Sequence, residues 1–409
     1  MIKMVKKSKA TALSIAVIVI LMSLTCGVSA EPAENRDAYD YPTVVKIMQT
    51  TDVNNLQASS SVIIEASTGG VILENDSHER LPVASITKLM TLYLAMEEID
   101  SGRLKYEDMA TVSFYARSMG GSQAYMDTGE KYTVDELLKC VAIHSANDAA
   151  VVLAEKISGS ESLFADMMNN KAAELGMGDT FYLDCTGLND EGQYSTAYDT
   201  SVLARNLITK HPDILSYTST WFDSIRLDAN RFDLVNKNRL INSYTGATGL
   251  KTGYTAKAGY CLVGTAERGD MHLIAIVLGE PDNNTRIAEC RKMLDYGFLQ
   301  YEVYTADREG TLAKTFEVEK GIETHVNARH EADVRLLIRK SEKSQLKSEV
   351  TAFENLEAPI SAGDPIGEVI YTAGGKEAGR AVLVAETEVR KASFIRLFFR
   401  KILNIFRRK

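Results

Sequence analysis

Tyr260-Cys261-Leu262-Val263-Gly264-Thr265-Ala266-Glu267-Arg268-Gly269-Asp270-Met271-His272-Leu273-Ile274-Ala275-Ile276-Val277-Leu278 is the stretch that decides the fold class. Two apolar runs of strand length flank the turn Arg268-Gly269-Asp270, so the second run pairs back on the first. Just upstream, Gly249-Leu250-Lys251-Thr252-Gly253-Tyr254 is a further strand-like run. Far toward the N-terminus, residues 61–66 and 71–74 flank Ser67-Thr68-Gly69-Gly70 and read as a β-hairpin. Between these ends the pattern is helical. One helix carries Ser85 and ends near Ser101-Gly102. Another opens on the capping box Thr133-Val134-Asp135-Glu136 and stops at His144-Ser145-Ala146-Asn147-Asp148. A third runs on to Gly159, and more fall at 161–175, 197–209 and 285–299. Residues 103–132 read as irregular. Strands at both ends of a helical middle specify an α+β fold, one antiparallel sheet covered by helices.

The 409 residues exceed one ordinary core, so more than one domain is expected. Residues 31–305 form the first. Over 306–388 the chain changes to short, charged, strand-like runs such as Asp333-Val334-Arg335-Leu336-Leu337-Ile338, which predict a small all-β domain. The segment 389–409 predicts an amphipathic helix. Phe394, Phe398, Ile402 and Phe406, with Leu397 and Ile405, share one face, and Arg396, Arg400 and Arg407 fall largely on the other. It is too short and too charged to span a bilayer. It reads as a helix lying in a membrane surface, the alternative being a helix docked on the β domain.

Charge narrows the class further. The net charge is −9, yet residues 1–30 and 390–409 carry twelve cations and no acid, which leaves −21 for residues 31–389. Such an acidic body excludes a nucleic-acid surface. The N-terminal cations precede the apolar run 13–22 and the small residues Val28-Ser29-Ala30, the pattern of a secretory signal over 1–30. An uncleaved anchor is the alternative; Ser23-Leu24-Thr25 before Cys26 is a poor lipobox. The expected location is the outer face of the cytoplasmic membrane. Cys140, Cys185, Cys261 and Cys290 sit in apolar or strand-like contexts and read as buried thiols. No Cys/His spacing suggests a metal, and no cofactor motif is present.

Chemistry concentrates in three short motifs. In Leu81-Pro82-Val83-Ala84-Ser85-Ile86-Thr87-Lys88-Leu89-Met90, a helix opened by Pro82 places Ser85 and Lys88 one turn apart. A desolvated lysine loses its proton more easily and activates a serine hydroxyl. The spacing alone is weak, since Ser344 and Lys347 repeat it in a charged stretch. Ser145-Ala146-Asn147 falls at a helix break, where Ser145 reads equally as a helix cap. Lys251-Thr252-Gly253 falls in a strand, where Lys251 reads equally as an edge charge and Gly253 as a bulge. Their order is that of the serine acyl-transfer motifs of penicillin-binding proteins and β-lactamases.

On these residues the chain resembles the D-alanyl-D-alanine carboxypeptidases of the low-molecular-mass penicillin-binding protein class. The likeness also covers Gly187-Leu188, Gly192-Gln193-Tyr194-Ser195 and Gly249 through Tyr260, and extends from signal peptide to C-terminus. It departs at Ala146, where the family often has Gly. The resemblance implies that Ser85 attacks the bond between the terminal D-alanines of peptidoglycan stem peptides, with Lys88 as base. Ser145 relays a proton to the leaving amine. Asn147 contacts the substrate amide and Lys88, and Lys251 and Thr252 hold the terminal carboxylate. The backbone N–H groups of Ser85 and Tyr254 form the oxyanion hole beside Gly253. Arg286 either approaches the carboxylate or is a surface helix arginine. β-Lactams are the expected covalent inhibitors. A β-lactamase would need a water-activating carboxylate in a Glu-x-x-Leu-Asn stretch, and none is found. An endopeptidase, a transpeptidase and a non-catalytic wall-binding scaffold remain alternatives, although a scaffold has no need of Ser85, Lys88, Ser145 and Lys251 together.

Overall fold

The computed structural model describes residues 53, 55–189, 191–226, 230–354 and 356–407. The expected signal sequence lies outside them. Five strands make the main sheet: β1 (Ser60–Glu65), β2 (Val71–Asn75), β3 (Ala247–Thr255), β4 (Gly259–Arg268) and β5 (Met271–Glu280). Their order is β2-β1-β5-β4-β3, and every pairing is antiparallel. Ser61 lies opposite Val277, and Val263 opposite Ile276. Both ends of the segment therefore build one sheet, as its apolar runs predict.

Those runs are continuous rather than alternating because both faces of the sheet are covered. Val62, Ile64, Val263, Ile274 and Ile276 point into one core with α1 (Lys88–Asp100), α3 (Asn147–Ser158) and α5 (Ala197–Lys210). Their neighbours Ile63, Leu262, Leu273, Ala275 and Val277 point the other way, onto Met293 and Leu294 of α6 (Asn283–Gln300). Helix α1 is apolar all round because it is buried all round, from Lys88 to Met96.

Local signals set the other helix starts. Thr133 and Glu136 close a reciprocal capping box on α2 (Val134–Lys139), and Ser160 caps α4 (Glu161–Glu174). Pro82, by contrast, does not open a helix. Leu81 bridges to Ser195, Ala84–Thr87 forms a 3-10 turn, and α1 starts only at Lys88. Within 103–132, Met109–Thr111 pairs with Lys131–Thr133, and Phe114–Arg117 makes one helical turn. Elements this short carry no readable period.

Before its final helix the C-terminal part is β-strands and a 3-10 turn, Lys340–Gln345. Strands β6 (Tyr301–Asp307) and β9 (Val334–Arg339) pair. A second sheet has the order β7-β8-β12-β11-β10, from β7 (Leu312–Glu317), β8 (His325–His330), β10 (Lys347–Ala352), β11 (Pro365–Ala373) and β12 (Lys376–Ala385). Phe316, Leu336, Val369, Tyr371 and Leu383 share its separate core. Strand β6 follows α6 directly and straddles the boundary expected after residue 305. Helix α7 (Phe394–Arg407) leaves this part with Phe394 and Ile395 81% and 67% exposed. Among the described residues no helix is long and apolar enough to cross a membrane.

Candidate active site

Strand β3 is one edge of the main sheet, and the 3-10 turn carrying Ser85 packs against it. A Cβ on Gly253 would stand 2.7 Å from the Val83 carbonyl oxygen, so glycine permits this approach. Gly253 lies in a regular stretch of β3, whose register shift falls instead between Ala247 and Gly249. The turn and the first residue of α1 place Lys88 Nζ 2.9 Å from Ser85 Oγ. The same amine donates to the Thr186 carbonyl at 2.6 Å and is fully buried. Burial, partly offset by Cys185 and Asp184, pulls Lys88 down to about 8.

In the second motif Ser145 does not cap the helix that follows. Helix α2 widens into a π-helical turn, Cys140–His144, and Ser145 ends it in the left-handed region at φ 65°. Ala146 is the N-cap of α3, which leaves the Ser145 hydroxyl free to accept from Lys251 Nζ at 2.7 Å. Lys251 also donates to the Thr252 carbonyl at 3.0 Å. Although β3 is an edge strand, Lys251 points inward and is buried. Burial, then the neighbouring charges of Lys88 and Arg286, hold its pKa well below the usual lysine range.

Asn147 contributes differently from expectation. Its Nδ2 donates to the Gly120 carbonyl at 2.7 Å, and its backbone N–H donates to Ser122. Its Oδ1 is buried without a partner, and Lys88 spends its bonds on Ser85 and Thr186 instead. Thr252 is buried beside Lys251, whereas Tyr254 is 55% exposed and stacks on Tyr260 at 4.3 Å. Arg286 is not a surface arginine, and its Nε is buried without a partner. It is buried and donates to the Gly253 and Cys261 carbonyls at 2.9 and 3.2 Å, bracing β3 and β4. Ser344 and Lys347 are exposed in the β part and lie outside this constellation.

Two further carboxylates shape the site. Asp184 accepts from the backbone N–H groups of Thr186, Gly187 and Asn189 at 2.7, 2.6 and 3.1 Å, fixing the turn that presents the Thr186 carbonyl. Asp148, buried, accepts from Ala124 and Met126 and holds the loop that faces Asn147. Asp184-Cys185-Thr186-Gly187 is an Asx-turn pattern, so the sequence carried a local signal for the first. Asp148 had none, because its partners are distant in sequence.

Residues 47–282 match a family model described as D-alanyl-D-alanine carboxypeptidase, and residues 298–391 match penicillin-binding protein 5, C-terminal domain. The D-alanyl-D-alanine carboxypeptidase DacF of Bacillus subtilis is 40% identical over 341 residues, 83% of this chain and 87% of the relative. The chain belongs to the D-alanyl-D-alanine carboxypeptidase family. A structure of penicillin-binding protein 5 from Haemophilus influenzae superposes with a TM-score of 0.77 at 28% identity, covering 82% of this carboxypeptidase and 98% of that chain. Penicillin-binding protein D2 of Listeria monocytogenes in its ampicillin-bound form reaches a TM-score of 0.52 at 32% identity, covering 60% and 98%. Among the described residues of the carboxypeptidase, Cys140, Cys185, Cys261 and Cys290 are free and buried, as their apolar contexts suggest.

Proposed function

We propose that this carboxypeptidase removes the terminal D-alanine of peptidoglycan stem pentapeptides through an acyl-enzyme on Ser85. The contact between the buried Lys88 amine and the Ser85 hydroxyl carries the reading. With its pKa near 8, Lys88 is partly neutral at ordinary pH and takes the serine proton as Oγ attacks the carbonyl carbon. The N–H groups of Ser85 and Tyr254 receive the oxyanion, a role in which one lost donor typically costs ~10²–10³ in rate. The carbon–nitrogen bond then breaks, and the proton reaches the departing amine through Ser145. Lys251 and Thr252 hold the leaving residue's carboxylate, whose negative charge offsets the crowding of cations around Lys251. Asn147 offers its unpartnered Oδ1 to the substrate's amide N–H. Arg286 acts as a positioning residue through the Gly253 carbonyl. Water finally releases the shortened peptide from Ser85.

The proposed setting is outside the cytoplasmic membrane, after export by residues 1–30, with α7 lying in the lipid surface. The exposed Phe394, Ile395, Phe398 and Phe399 and the basic residues of that segment support it. Release of D-alanine from a free pentapeptide tests the activity. Intact-protein mass after penicillin tests the nucleophile: one adduct is expected, absent in Ser85→Ala. An adduct that persists in Ser85→Ala overturns the assignment.

A further inference from the structure

A cleft of about 930 Å³ opens between the start of α4, residues 181–183 and the helical turn Phe114–Arg117. The rings of Tyr115 and Phe181 line it while remaining 48% and 41% exposed. Ser162, Asp166 and Asn170 add a hydroxyl, a carboxylate and an amide, and among the described residues no lysine or arginine lines it. One wall is continuous with the catalytic machinery. Tyr115 donates to Glu161 at 2.5 Å, and Glu161 accepts from the backbone N–H and the thiol of Cys185 at 3.2 and 3.1 Å. Cys185 immediately precedes Thr186, whose carbonyl holds Lys88.

This chemistry selects a ligand class. Exposed aromatic faces pack on the apolar faces of a sugar ring, and neighbouring amide, hydroxyl and carboxylate groups bond its hydroxyl and acetamido groups. An acidic lining without cations repels a carboxylate, so the end of the stem peptide goes to Lys251 and not here. The volume suits a small oligosaccharide fragment. We infer that this cleft is a second subsite, which binds an N-acetylated hexosamine of the glycan strand from which the stem peptide hangs. The inference rests on the carboxypeptidase reading. It makes the enzyme a reader of polymer as well as of peptide, with glycan binding adding to the affinity of the attached stem.

The test compares D-alanine release from a free pentapeptide and from the same pentapeptide on a short glycan fragment. The parent protein is expected to favour the glycan-linked substrate. The double variant Phe181→Ser, Asn170→Ala is expected to lose about tenfold in kcat/KM on that substrate, through KM, and nothing on the free peptide. Unchanged turnover of the free peptide also shows that the variant folds. Equal losses on both substrates, or a parent with no preference, overturn the subsite while leaving the carboxypeptidase reading intact. If the parent releases D-alanine from neither substrate, that reading fails, and calorimetric titration with a tetramer of N-acetylglucosamine decides the subsite. Binding that the double variant weakens supports it; absent or unaltered binding overturns it.

Discussion

Lys88 sits at the point where burial and charge decide reactivity. Desolvation disfavours its ammonium, and the folded protein holds its pKa near 8 rather than at the ordinary 10.5. The second-order rate constant of penicillin acylation reports the free enzyme, so it is expected to rise with pH and level off above a midpoint near 8. A midpoint near 10.5 would show that the Lys88 amine is not held below the ordinary lysine range. Gly187 supplies a second residue-level prediction. Its φ is +77°, and a Cβ there would lie 1.9 Å from the Ala84 carbonyl oxygen, next in sequence to Ser85. Gly176 has nearly the same φ, +78°, with nothing near its Cβ position. Gly176→Ala therefore meets only left-handed strain, roughly 1–2 kcal/mol. Gly187→Ala meets the strain and the clash, and is expected to slow acylation on the order of 10²-fold by displacing Ser85. Thermal melts and stopped-flow acylation of the two variants separate the effects; equal acylation rates would refute the steric argument. The residues themselves were readable in the sequence as motifs. The Lys88–Thr186 bond and the inward turn of Lys251 were not, since both depend on elements 98 and 106 residues away.

At the scale of elements, legibility followed local signal. The capping box on α2 and the apolar runs of β4 and β5 each state their structure within a few residues. The π turn before Ser145 states nothing, because its widening is imposed by packing around Cys140–His144. Where β5 ends, Glu280 is buried and its oxygens accept no hydrogen bond, while Glu289 on α6 accepts from the backbone of Gln57 and Ala58. Burial, then the neighbouring Glu289, raises Glu280 to about 9. In the unfolded chain the same carboxyl ionises near 4.5. Between those values the unfolded state sheds a proton that the folded state keeps, so stability falls as pH rises through that window. Glu280→Gln has no proton to shed. Its melting temperature is expected to match the parent's at pH 4 and to exceed it by several degrees at pH 8. A constant difference across pH would show that the carboxyl is not held protonated.

For the molecule as a whole, the division into a helix-covered sheet and a β-rich C-terminal part was legible from the change in strand length and charge near residue 306. How the tail leaves the β part was not. The polar-face arginine Arg400 donates to the Gly321 and Ile322 carbonyls, both at 3.0 Å, and the backbone N–H of Ala392 donates to Lys320 at 2.7 Å. With the anchor as proposed, deleting residues 391–409 is expected to move the protein into the soluble fraction with D-alanine release in solution unchanged. Sedimentation of the truncated protein with membranes would place the anchor elsewhere. Because α7 and Ala392 just before it are hydrogen-bonded to the connection between β7 and β8, the tail is a stiff joint and not a leash. A leash sweeps its cargo through a sphere of heights, whereas a joint of this kind, with α7 in the lipid surface as proposed, would hold Ser85 within a narrow band above the lipid. On that proposal stem peptides would be selected by altitude: those on freshly inserted strands would pass through the band, and those in older, outer layers of the wall would have moved beyond it.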